Sequence, residues 1–241
     1  MRVGEDVDLV WRLAAAGWTI RYEPEAHVAH EHRVRLREWF NRRMDYGTSA
    51  APLARRHPGT LPAVSMSGWS AAAWGLAAIG RPVLGVALTA AVTARLARRL
   101  EPLTGSPAPL AAKLAGAGTL RAGRLLGVTL ARGWWPVALP AALKYRRLRP
   151  AVAAGILIPP LLDWYERRPG LDPVRYTAAG LLDDAAYAIG VWRGCLRERT
   201  AAPLLPRLWW RSPADSPGGP APGPGAGTGI PGTGPQPPTT R

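Results

Sequence analysis

From Val64 to Ala94 the chain carries a single charge, Arg81, and Pro82 follows it directly. A bilayer-spanning helix needs roughly 20 consecutive apolar residues. The window has that total length, but Arg81-Pro82 divides it, because proline interrupts a helix ladder and clashes with the preceding turn. Three readings stay open: one kinked span, a helical hairpin, or an interfacial segment. Arg95, Arg98 and Arg99, just beyond the run, match a positive cytoplasmic flank.

Other apolar stretches are weaker. Leu125 to Leu143 contains Arg132, and Ala151 to Leu162 is short and carries Pro159-Pro160. Tyr176 to Trp192 carries Asp183-Asp184, which argues for an amphipathic helix rather than a span. The mean hydropathy of −0.05 is low for a polytopic protein. Residues 61–211 are therefore expected to form a mainly α-helical, membrane-associated region on the cytoplasmic face of the cell membrane, with lipid as a partner. In residues 212–241, 17 of 30 positions are Gly or Pro. Such a segment cannot bury a core and is expected to be a disordered tail.

Residues 1–60 read differently. They are charged and hold all four histidines. Val10, Leu13 and Ala14 fall at helical spacing within Asp6 to Ala16, and Gly17 sits where a C-cap is expected. Trp18, Ile20 and Tyr22 alternate with Thr19 and Arg21, the period of a strand that Pro24 ends. A second extended piece is expected over Ala26 to His30. A second helix is expected over Arg33 to Tyr46, with Leu36, Trp39, Phe40 and Met44 on one face. The order helix, strand, strand, helix belongs to part of a mixed α/β domain.

The net charge is +15, from 31 basic against 16 acidic side chains. That excess suits nucleic acid, anionic lipid or a phosphate-bearing substrate. No zinc finger, RNP motif or helix-turn-helix pattern stands out, so nucleic acid is not expected as a partner. A single cysteine, Cys195, excludes an internal disulfide framework and any Cys-based zinc site. Met1 to Asp8 are already charged and lack the apolar core of a signal peptide. Trp134-Trp135 and Trp209-Trp210 suit a membrane interface better than sugar stacking.

Chemistry concentrates at the start of the chain. Gly4-Glu5-Asp6-Val7-Asp8-Leu9 is followed by Arg12 and by Ala16-Gly17-Trp18. Acids at a helix start are partly explained by the helix dipole. The string as a whole, however, resembles the Glu-Asp motif of GT-A glycosyltransferases of the family 2 type. Pro24-Glu25-Ala26-His27-Val28-Ala29-His30 resembles the Pro-x-Ala-x-Val-x-His stretch that follows in those enzymes. His30-Glu31-His32-Arg33, then Trp39, Arg42, Arg43 and Asp45 to Ala54, resemble the mycofactocin-system glycosyltransferases, an actinobacterial group of that family. The resemblance spans roughly residues 1–211.

The resemblance implies that residues 1–60 are the C-terminal part of a GT-A domain. It assigns Asp6 as the base that takes the proton from an acceptor hydroxyl, with Glu5 orienting the acceptor or tuning Asp6. One base facing one leaving group implies inversion at the anomeric carbon. The donor would be a nucleotide-sugar and the transferred group a hexose, glucose in the mycofactocin system. The leaving diphosphate normally needs Mg or Mn, for which His30 is the candidate ligand; His27 and His32 share its sequence period. Arg42, Arg43 and Trp39 are candidates for substrate binding, the two arginines by bidentate contact with diphosphate oxygens. A solvated or lipid-facing helix face explains the arginines equally well. The Gln-x-x-Arg-Trp motif of processive relatives is replaced by Arg35-Leu36-Arg37-Glu38-Trp39, which argues against processivity. The nucleotide-binding half and its Asp-x-Asp motif do not appear, so the chain by itself is expected to lack turnover. The competing reading is a non-catalytic, basic membrane-surface adaptor that binds anionic lipid or an acidic partner.

Overall fold

A computed structural model describes residues 3–25 and 35–210. The second extended piece at Ala26–His30, the three histidines His27, His30 and His32, and the tail at 212–241 lie outside the described residues.

The polypeptide forms α1 (Glu5–Ala15), α2 (Leu36–Thr48) and α3 (Ala50–Arg56), then a short strand β1 (Ser65–Ser67). The hairpin α4 (Gly68–Ala78) and α5 (Pro82–Leu100) follows. Next come α6 (Pro107–Ala111), α7 (Ala117–Thr129) and α8 (Trp135–Lys144), joined by π-turns at Ala112–Gly116 and Leu130–Trp134. The chain closes with α9 (Arg149–Arg167), α10 (Pro173–Glu198) and β2 (Arg207–Trp209). Strands β1 and β2 pair in parallel, with Ser65 opposite Arg207, Met66 opposite Leu208 and Ser67 opposite Trp209.

This corrects the expected α/β remnant. The described residues are mostly helical, and their two-stranded sheet joins residues outside 1–60. Trp18, Ile20 and Tyr22 are exposed and belong to no regular element. Alternation marks a strand only where neighbouring strands satisfy its backbone and one face is buried. Neither condition is met among the described residues.

The membrane-associated region is corrected as well. Gly80 takes a left-handed φ of 82° and ends α4, and Pro82 opens α5 as its first residue. Arg81-Pro82 is thus the turn of a helical hairpin, since proline at that position sacrifices only a donor that would be unpaired anyway. Helix α4 has 11 residues, about 16 Å at 1.5 Å per residue, against a hydrocarbon core of about 30 Å. Helix α5 has 19 residues but ends in Arg95, Arg98 and Arg99. No described helix is long and apolar enough to cross a membrane.

The packing uses small residues. One cluster joins Ala50 and Ala51 to Val191 and Cys195, with Leu61, Tyr187 and Leu204 against it. A second joins Val64, Met66 and Ala122, with Ala71, Leu126 and Trp134. The principal crossing is α2 on α10. A side chain at Gly47 would collide with the Tyr187 carbonyl, one at Gly190 with the Met44 carbonyl, and one at Gly194 would stand 2.7 Å from the Thr48 carbonyl. The 26-residue α10 is started by Asp172, whose carboxylate accepts from the Val174 and Arg175 amides at 3.1 and 3.0 Å. Ion pairs flank the crossing: Arg43 with Asp183, and Arg55 with Glu198 at 3.0 Å. On the other side of α10, Asp163 of α9 accepts from the Tyr176 hydroxyl at 2.6 Å.

Alanine normally stabilises a helix by about 1 kcal/mol over glycine. Gly190→Ala should nevertheless lower stability, because overpacking typically costs about 1–3 kcal/mol. Gly118→Ala, where no other atom lies within 4 Å of the added methyl, should raise it. Urea unfolding of the two variants checks the contrast.

Candidate active site around helix α1

The motif's glycine is required by backbone and by packing. Gly4 caps α1 with φ 79°, a conformation that favours glycine. A Cβ there would stand 3.0 Å from Ser49 Cβ and 3.2 Å from Leu53 Cδ1, at the junction of α2 and α3. Glu5, Asp6 and Asp8 then occupy the first turn, where the helix dipole favours them. At about 100° per residue, Asp8 lies about 200° round the helix from Asp6. Accordingly Asp6 is exposed while Asp8 is buried; Glu5, only about 60° from Asp8 round the helix, is exposed as well.

Asp8 is the anchor of the site. Its Oδ2 accepts from Arg56 Nη1 at 2.9 Å and lies 3.3 Å from Arg12 Nε, one turn along α1. Its Oδ1 lies 2.9 Å from His57 Nε2. The His57 ring meets Trp11 edge to face, with centroids 5.1 Å apart. The hydrogen bond with His57 holds the Asp8 carboxyl below its usual acidity range; the Arg56 and Arg12 charges add to this, and burial opposes it. This cluster clamps α1 to the end of α3 and fixes which face of α1 looks outward.

Helix α2 supplies the other candidates. Trp39, Arg42, Arg43 and Tyr46 follow helical spacing along one face. Trp39 is half-buried. The Arg42 guanidinium lies 4.7 Å from the Tyr46 ring centroid. Its charge is favoured first by Tyr46, then by Asp45 and by Glu5, which places the Glu5 carboxylate within electrostatic reach of Arg42. Arg43, on the same face, is taken up by α10, both of its contacting nitrogens on the Asp183 carboxylate. The structure therefore brings Glu5, Asp6 and Arg42 into one neighbourhood, and ties Arg43 into the helix packing.

His30 lies outside the described residues. Among the described residues no three His, Cys, Asp or Glu side chains converge as a metal site would require. The described residues do not by themselves form a seat for Mg or Mn.

Sequence reasoning named Asp8 within the motif without giving it a role, and passed over Arg56 and His57. The helical angle between Asp6 and Asp8 was a usable signal that one of them faces inward. Nothing local marked His57, because its partner is 49 residues away.

The relatives of this chain are glycosyltransferases. Two curated proteins, from the CDC 1551 and H37Rv strains of Mycobacterium tuberculosis, are each 40% identical to it over 218 residues, covering 86% of this chain. Both are named pre-mycofactocin glycosyltransferase. The chain spans about half the length of these relatives, 46% of each. No family model matches the chain, and no solved structure matches it. The resemblance to the mycofactocin-system glycosyltransferases is thus borne out.

An acid whose folded pKa is depressed stabilises the fold above its unfolded value and loses that contribution as pH falls through the folded one. Asp8→Asn should therefore lower Tm at pH 5–7. Its gap to wild type should narrow as pH drops below the ordinary value of 3.8. Thermal melts of both proteins between pH 3 and 7 check the sign.

Proposed function

We propose that the chain carries the catalytic-base segment of an inverting, GT-A family 2 glycosyltransferase acting in mycofactocin biosynthesis. The observation that carries this reading is the 40% identity to the two pre-mycofactocin glycosyltransferases over 86% of the chain. Its support in the structure is a Glu5-Asp6 pair held outward by the buried Asp8 clamp.

In this mechanism the Asp6 carboxylate accepts the proton of an acceptor hydroxyl as its oxygen attacks the anomeric carbon of a nucleotide-hexose, glucose by resemblance. The new glycosidic C–O bond forms as the bond to the diphosphate breaks. The electron pair leaves with the nucleoside diphosphate. A single displacement inverts the anomeric configuration. Glu5, with Arg42 beside it, orients the acceptor hydroxyl toward Asp6. Arg42 offers charge-assisted hydrogen bonds to anionic oxygens of the donor. The Mg or Mn implied by the resemblance draws on residues outside those described, His30 among them. Asp8, Arg56 and His57 are positioning residues: they set the rotation of α1 and touch no reacting atom.

The test is a chimera in which residues 1–210 replace the matching segment of the M. tuberculosis relative, assayed for glycosylation of pre-mycofactocin. Asp6→Asn should lower kcat by about 10²–10⁴-fold, the usual contribution of a general base, with an unchanged melting curve. Asp8→Asn should lower both kcat and Tm. An Asp6→Asn chimera as active as its parent would overturn the assignment. A chimera insensitive to Asp6 and retained on anionic vesicles would favour the adaptor reading instead.

A further inference from the structure

A cavity of about 260 Å³ opens beside α10, between the loop at residues 61–63 and the π-turn Leu130–Trp134. Its walls are apolar, chiefly Leu61, Pro62, Val128, Val191 and Pro203. Four polar residues reach it, and two are already committed. The Thr129 hydroxyl serves the Leu125 carbonyl at 2.8 Å and the Ala63 carbonyl at 3.3 Å. The Gly133 carbonyl accepts from Trp192 Nε1 at 2.7 Å. Arg132 and Tyr187 are left.

Arg132 sits in the π-turn, a distortion that inserts an extra residue into a helix and re-aims side chains, often at functional sites. Its guanidinium lies 4.7 Å from the Tyr187 ring centroid, which fixes its plane. Its one ion pair is loose, Nε to Asp184 Oδ1 at 3.3 Å. No hydrogen bond from its terminal nitrogens is made among the described residues, and 40% of its side chain is exposed. An arginine with a free fork at the mouth of an apolar cavity selects for one ligand chemistry. Its planar pair of donors matches a carboxylate, and the walls match a flat hydrocarbon body.

We propose that this cavity is a binding site for a small aromatic or branched-chain monocarboxylate, its carboxylate on Arg132 and its apolar body between Pro62, Val128 and Val191. The proposal stands independently of the glycosyltransferase reading.

Binding on Arg132 has a second consequence. Burial pushes the Asp184 carboxyl up to about 6, Arg132 holds it down, the neighbouring Asp183 raises it, and Arg43 of α2 lowers it. A ligand carboxylate that shares the Arg132 charge weakens the chief group favouring ionised Asp184. Asp184 then takes up a proton near pH 7, so affinity falls as pH rises above about 6.

The experiment is calorimetric titration of the purified chain with benzoate at pH 7, in two buffers of different ionisation enthalpy. Benzamide and inorganic phosphate serve as comparison probes. Benzoate should bind with Kd on the order of 1 mM, fitting for a nine-heavy-atom ligand, and with net proton uptake. Benzamide should bind at least about tenfold more weakly, as loss of a charge-assisted pair implies. Phosphate, which has no apolar body, should not compete. Arg132→Gln should remove benzoate binding. Ala63→Leu, which enlarges a lining residue that takes no part in the ion pair, should weaken it too. Asp184→Asn should keep binding but lose the proton uptake. Equal affinity for benzamide, competition by phosphate, or unchanged binding in Arg132→Gln or Ala63→Leu would each overturn the proposal, as would no saturable benzoate signal.

Discussion

The close crossing of α2 and α10 is the constraint on which the described fold depends. Gly47 against Gly190, and Thr48 against Gly194, let the two backbones approach until side chains no longer separate them. At that distance dispersion between main chains replaces the large side-chain knobs of an ordinary helical core. Among the described residues no large side chain is fully buried; the core is mostly alanine, with Val191, Met66 and Cys195. The crossing also decides where charges go. Arg43 and Asp183 flank it, so an arginine that looked available for substrate becomes part of the joint between two helices. The end of α2 then leads directly into Ser49 and α3, which receive Gly4 and hold Asp8. Displacing α2 on α10 would move the surface on which α1 rests.

That dependence explains what could be read in the sequence. Helix α1 was legible because its signals are local: three acids at the start, apolar residues at i, i+3 and i+4, and Gly17 at the end with φ 84°. The break at Arg81-Pro82 was legible in position, and the hairpin was one of its three readings. The strand expected at Trp18 to Tyr22 was not, because its alternation lacks a neighbouring strand among the described residues. The membrane-associated reading of 61–211 rested on uncharged composition. Alanine and glycine look the same whether they face lipid or the backbone of another helix, and here Gly85 stands 2.5 Å, by an added Cβ, from the Ala73 carbonyl. The pairings that matter most span 49 residues from Asp8 to His57 and 140 from Arg43 to Asp183. No periodicity within one helix encodes partners at such separations.

Charge accounting sharpens the contrast at α1. With 31 basic side chains against 16 acidic ones, an acid in this chain meets an arginine easily. Asp8, Asp163, Glu166, Asp172, Asp183, Asp184 and Glu198 all do so within 4.0 Å. Glu5 and Asp6 form no such ion pair among the described residues, although Asp8 of the same helix engages Arg12 of α1 and Arg56 of α3. The turn of α1 separates Asp6 from Asp8, and Glu5 is exposed although it lies only about 60° from Asp8: the buried acid takes the arginines and the histidine, and the exposed acids keep their lone pairs. A carboxylate that must accept a proton from a substrate is useful only if no guanidinium already holds it. The buried Asp8 cluster serves that requirement for Asp6 by engaging Arg12 and Arg56 on the other side of α1. Arg42 is the exception, and its position over Tyr46 keeps it near Glu5 without closing an ion pair on Asp6. The same geometry that stabilises the docking of α1 therefore leaves its two outward acids chemically available.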